Sequence, residues 1–185
     1  MTSPESFKKF EKRIAAIKAA PEHPHDSFIK ITLEEALEAA KHGNFGVGAV
    51  LVDGDGNVIC RAHNHIFHPS FRSDAHAEMN VISHFEESLQ DRIEISSLTL
   101  FTSLEPCPMC YSRLLISGIR EVYYAAADQQ GGMVHKASDM PSAWHALAQE
   151  KVFKRANCSA ELSELAFEIF KSTAREANAK LIGRQ

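Results

Sequence analysis

The sequence predicts an α/β fold, a five-stranded mixed sheet covered by helices on both faces. Two β-branched runs, residues 47–53 (VGAVLVD) and 58–62, flank the turn-rich Asp53-Gly54-Asp55-Gly56-Asn57 and predict an opening hairpin. Beyond the hairpin, helical segments alternate with short apolar strands. Before the last strand comes a crossover, residues 128–150, long enough to hold its own helix. It allows strands four and five to run parallel, whereas an antiparallel pair needs only a short turn.

The elements follow in order. A first helix is expected within residues 1–20, from about Pro4 to Ala20, before the break at 21–26. Thr32 with Glu35 three residues on reads as a capping box opening a second helix that ends near Gly43. After the hairpin, a polar loop (63–74) leads to a helix over 75–88. A third strand is expected at 98–102, a helix at 108–118, and a fourth strand at 122–126. The Gly131-Gly132 turn and a helix from near Pro141 precede a fifth strand at 152–155. A final helix, 159–182, carries Leu162, Leu165, Ala166, Ile169 and Phe170 at the spacing of one buried stripe.

The chain has 185 residues and no internal repeat or long linker, which predicts one domain over 1–185. Its 44% hydrophobic content is enough to build a core without disulfides. Net charge is −4, which gives no general nucleic-acid footprint, although Lys8, Lys9, Lys12, Arg13 and Lys18 make the first helix locally positive. No apolar run approaches the roughly 20 residues of a membrane span, and the first residues lack a secretory apolar core, so the expected location is the cytoplasm. Two of the four cysteines form a Cys-x-x-Cys pair; in a cytosolic chain this favours a metal or redox site over a disulfide framework.

The chemistry concentrates in His76-Ala77-Glu78 and Pro106-Cys107-Pro108-Met109-Cys110. Imidazole and thiolate suit zinc, and His76, Cys107 and Cys110 supply the three protein ligands of a catalytic site whose fourth position holds water. The metal lowers the pKa of that water. Glu78, two residues from His76 on a helix, does not share its face, and is read instead as the proton shuttle. Pro108 fits the first position of a helix, which puts Cys107 at the entrance and Cys110 one turn in, both near the positive end of the dipole. His76 likewise starts its helix. Five fixed residues at ~1 in 20 each, over ~2000 placements, arise by chance on the order of once in a thousand chains.

These motifs resemble those of the cytidine/deoxycytidylate deaminase superfamily of zinc-dependent nucleobase deaminases. The resemblance implies a three-layer α/β/α sandwich, one Zn2+ per subunit, and hydrolytic release of ammonia from the exocyclic amine of a base. It also implies a homodimer. The helical crossover is similar to the branch of tRNA adenosine, guanine and deoxycytidylate deaminases. By that likeness Asn64, Ala77, Phe45 and Asp128 are candidate substrate contacts. A small base, nucleoside or nucleotide is the first expected substrate. Adenosine in tRNA is the alternative, and a non-catalytic zinc-bearing regulatory subunit a third reading.

Blander readings compete. Cys107 and Cys110 are also consistent with a redox pair or a four-ligand structural zinc site completed by Cys60 or His84. His63, His65 and His68 are either solvated loop residues or a second metal cluster. Asn64 is either a substrate contact or a strand end, and Phe45 either pocket or core.

Overall fold

The computed structural model describes residues 4–184. Residues 1–3, part of the expected N-terminal helix, and Gln185 lie outside them. The five expected strands form: β1 (Gly48–Val52), β2 (Val58–His63), β3 (Thr99–Leu104), β4 (Glu121–Ala126) and β5 (Val152–Arg155). They pair in the order β2-β1-β3-β4-β5. β1 is antiparallel to β2 and β3, whereas β3–β4 and β4–β5 are parallel. The helical crossover thus does what its length allows.

β1, GAVLV, is buried at every position because helices cover both its faces. At the edges the strands turn polar, with Arg61 on β2 and Lys154 and Arg155 on β5 exposed. Asp53 organises the hairpin turn, its Oδ1 accepting the amides of Asp55 and Asn57 at 3.0 and 2.8 Å.

On one face lie α2 (Asp26–Lys41) and the long α6 (Ala160–Ile182), with α1 (Pro4–Ala16) packed outside them. On the other, α3 (Ala77–Ser88) covers β1 and β2, α4 (Pro108–Ile116) sits beside α3, and α5 (Ser142–Ala148) rests on α4. The layers are therefore α/β/α. Leu162, Leu165, Ala166 and Ile169 of α6 are fully buried, as the stripe predicts. α2 approaches β1 so closely that a Cβ on Gly48 would collide with the Thr32 carbonyl.

Two expectations are corrected. Thr32 and Glu35 form no capping box: α2 already begins at Asp26, because Ile29 and Leu33 carry its buried stripe further upstream. Thr32 sits inside the helix with its hydroxyl donating to the Ile29 carbonyl at 2.8 Å. α1 stops at Ala16 rather than Ala20, and the Ile17 carbonyl accepts from Lys30 Nζ instead of continuing the helix.

Candidate active site

Two segments converge at the site. His76 precedes α3 in an extended conformation (ψ 156°), with Ala77 and Glu78 in the first turn. Cys107 precedes α4 in the same way (ψ 170°), Pro108 occupies the first helical position, and Cys110 lies in the first turn. Two helix N-termini therefore face each other across the site.

His76 Nδ1 stands 3.5 Å from Cys107 Sγ and 3.6 Å from Cys110 Sγ. The three ligand atoms lie within 4.8 Å of one another. Tetrahedral zinc, with bonds of about 2.3 Å to sulfur and about 2.0 Å to nitrogen, places its sulfur and nitrogen ligands about 3.5 Å apart. The residues fit that metal. Among the described residues no fourth His, Cys, Asp or Glu joins the group. Cys60 is buried elsewhere, its thiol donating to the Val81 carbonyl, and so completes no four-ligand structural site.

The two thiols and the imidazole of the cluster shift one another. The thiol of Cys110, hydrogen-bonded to Cys107, holds Cys107 down to about 4, against the opposing effect of burial and with help from His76. Cys110 is correspondingly pushed well above the ordinary thiol range, by that same bond and by burial. Burial works to lower His76, but the hydrogen bond and charge of Cys107 outweigh it and raise the imidazole. Glu78 is raised by burial and then by the Cys107 charge. Its Oε2 lies 3.5 Å from Cys110 Sγ, so the carboxylate stands beside the ligand cluster and not on the far side of the pocket.

A cavity of about 250 Å³ opens beside these residues. That is below the roughly 300–1,000 Å³ of drug-sized ligand sites. Phe45, Asn64, Glu78 and Asp128 all line it, together with His76 and Cys107. Asn64 is buried, and its Oδ1 accepts the Ile66 amide at a long 3.3 Å. Phe45 serves both of its anticipated roles, lining the cavity and packing on the core beside Phe170. Asp128 Oδ1 is already engaged by the amides of Gln130 and Gly131, both at 3.0 Å. Ala77 is fully buried in the first turn of α3 and is not among the lining residues.

The loop histidines form no second metal group among the described residues. His63 Nδ1 lies 2.7 Å from Glu35, Asn80 Nδ2 bonds to His65 at 3.0 Å, and His68 stacks on His42.

Sequence reasoning missed the outer wall. Phe170, Asn178 and Leu181 of α6 line the cavity, and α6 is held against the β2–α3 loop by Lys180 over Phe67 and Arg184 over Phe71. It also missed Glu105, a fully buried carboxylate lining the same cavity. The one available signal was its place next to Pro106-Cys107. The α6 residues carried none, since nothing in their spacing separates a pocket wall from an ordinary helix face.

The family model described as the cytidine and deoxycytidylate deaminase zinc-binding region matches residues 22–126. The chain is 39% identical over 105 residues to a tRNA-specific adenosine deaminase of Bacillus subtilis, covering 57% of this chain and 63% of that one. It thus spans somewhat less than two thirds of that relative. To a tRNA-specific adenosine deaminase of Aquifex aeolicus it is 33% identical over 147 residues, covering 78% of this chain and 92% of that one. A structure from a study of A-to-I editing by tRNA:A34 deaminases superposes with a TM-score of 0.63 at 31% identity, covering 77% of this chain and 98% of that one. A guanine deaminase from Nitrosomonas europaea shares the fold, with a TM-score of 0.59 at 24% identity over 84% of this chain and 87% of that one.

Proposed function

The chain belongs to the cytidine and deoxycytidylate deaminase family, and from that premise we propose that it hydrolytically deaminates adenosine presented by tRNA. The observation that carries the substrate is the likeness to tRNA-specific adenosine deaminases over most of the chain, at 33% identity to a relative covered over 92% of its length. No helix among the described residues is long and apolar enough to cross a membrane.

His76, Cys107 and Cys110 would hold the Zn2+, whose chemistry is Lewis-acid activation of a water for attack on the base. Glu78 takes a proton from the attacking water and delivers it to the ring nitrogen, then serves the departing amine, which leaves as ammonia. Burial raises it from its ordinary value, the direction that favours holding a proton for delivery. The α3 N-terminus, with the Ala77 amide in its first turn, and Asn64 hold the polar edge of the base. Phe45 and Phe170 face its ring. A non-catalytic role leaves unexplained why a carboxylate should be buried beside the ligand cluster.

A free base or nucleoside is the second reading. One observation favours it: α6 walls the small cavity through Phe170, Asn178 and Leu181, which restricts entry of a base still attached to a polynucleotide.

The test is ammonia release from tRNA transcripts, nucleosides and free bases by zinc-loaded protein, with Glu78→Ala alongside. Inosine in the transcript, at least about a thousandfold less in Glu78→Ala at equal zinc content, is the expected result. Turnover of a free base with no inosine in any transcript replaces the RNA reading with the second one. Full turnover by Glu78→Ala removes the mechanism.

A further inference from the structure

The carboxylate of Glu105 is fully buried, yet the reaction described above gives it no task. It lies two residues before Cys107, in the turn that leaves β3 for the metal cluster. Its backbone amide donates to the Ala126 carbonyl at 2.8 Å, extending the β3–β4 pairing by one rung. Its side-chain hydrogen bonds go to the loop that follows β4. Oε2 accepts the Asp128 amide at 3.0 Å, and Oε1 accepts both the backbone amide of His135 at 2.9 Å and its ring Nδ1–H at 2.8 Å.

One carboxylate therefore gathers donors from both ends of the 128–135 segment. The middle of the segment closes on it as well. The Met133 amide donates to the Pro106 carbonyl at 2.8 Å. Gly132 backs onto the side chain so tightly that a Cβ there would stand 2.5 Å from Glu105 Cδ and 2.6 Å from the Asp128 carbonyl. This segment supplies Asp128 and Gly131 to the wall of the cavity that His76 and Glu78 also line.

We propose that Glu105 is a positioning residue: it staples the 128–135 loop to the turn carrying Cys107, and so sets the distance between the base-holding wall and the reacting centre. This rests on the cavity being the substrate site of the deaminase reading. Burying a carboxylate is costly unless it is hydrogen-bonded, and three N–H donors here engage both of its oxygens. A wall of this kind contacts the base before and during the reaction alike, so loosening it raises KM more than it lowers kcat.

The experiment separates the staple from the metal turn by working from the far end of the bond. His135→Ala removes the side-chain donor, whereas His135→Asn returns an amide N–H at the position of Nδ1. Zinc content, melting temperature, backbone hydrogen exchange across 128–135 and kinetics on a tRNA transcript and on free adenosine are compared. His135→Ala is expected to speed exchange in the segment and raise KM about tenfold, with zinc content and kcat within about twofold of the parent. His135→Asn restores both slow exchange and low KM. Unchanged exchange in His135→Ala overturns the staple, even if the parent turns over neither probe and the substrate reading has failed by itself. Faster exchange with unchanged KM, or an Asn variant no better than Ala, overturns the positioning role.

Discussion

Each cysteine in this chain takes its chemistry from its surroundings. Burial alone pushes Cys60 up to about 11, and burial with the nearby Asp26 charge does the same for Cys158, so both are poor nucleophiles near neutral pH. Cys107 is held to about 4 by its partner's thiol. Stripping the metal with a chelator should therefore expose one fast thiol to iodoacetamide at pH 7, mapped to Cys107 by mass spectrometry, and restoring zinc should protect it. Equal labelling of Cys60 and Cys107 would contradict this assignment. His25 makes a second residue-scale case. Its ring packs against Phe101 and Tyr123, and its Nδ1 accepts the Asn157 amide at 3.0 Å, which requires that nitrogen to be unprotonated. Burial lowers it from the ordinary 6.5, with Glu121 opposing. The folded state thus binds fewer protons than the unfolded one. The resulting stability is complete above pH 6.5 and is lost as pH falls below that value. His25→Asn keeps an acceptor without the titration, so urea midpoints at pH 7.5 and 5.5 should converge for the variant relative to the parent. Parallel losses in the two proteins would remove His25 as a source of acid sensitivity.

Individual elements differ in how much of them is readable in advance. α6 announces itself by its stripe, and Ile169 at its centre is fully buried in the main core. Ile169→Ala should cost about 2–5 kcal/mol in chemical denaturation, the range for large-to-small changes in well-packed sites. A loss near zero would mean that the helix is not anchored there. α4 was equally legible, because Pro108 marks its start and leaves Cys107 as the extended residue before it. The start of α2 was not. Ser/Thr followed by Glu three residues on is a local signal, whereas the true boundary at Asp26 is supported by a distant partner, the Ser159 amide bonded to Asp26 Oδ1 at 2.7 Å. The close approach of α2 to β1 at Gly48 is another feature that sequence alone leaves open, because the same glycine could equally well have marked a bulge.

At the scale of the whole molecule, the charge of −4 and the proposed RNA substrate stand in tension. The proposed binding of tRNA would depend on local basic groups, such as Lys180 near the end of α6 and Arg184 just beyond it, over Phe67 and Phe71. If tRNA is the substrate, raising salt from 50 to 200 mM should weaken binding steeply, by about tenfold or more, since each phosphate contact releases counterions. Turnover of a free base should scarcely respond. Salt-independent KM values for both substrates would argue against a phosphate-binding surface at this site.

The sequence by itself determined the mixed sheet, the helix starts at His76 and Cys107, and the identity of the three-ligand cluster with its neighbouring glutamate. The strands and helix starts depend on periodicity and turn chemistry, which are local, and the cluster on two short motifs whose residue types suit one metal. Tertiary structure alone decided that Phe170, Asn178 and Leu181 wall the cavity, and that Asp128 spends part of its carboxylate on its own loop. It likewise placed Glu105 beneath that loop, with donors from residues 23 and 30 positions away. Such contacts are made by side chains whose types are common and whose sequence separations are unconstrained. Packing α6 over the ends of the strands, and folding the crossover back onto the metal turn, are what bring them together.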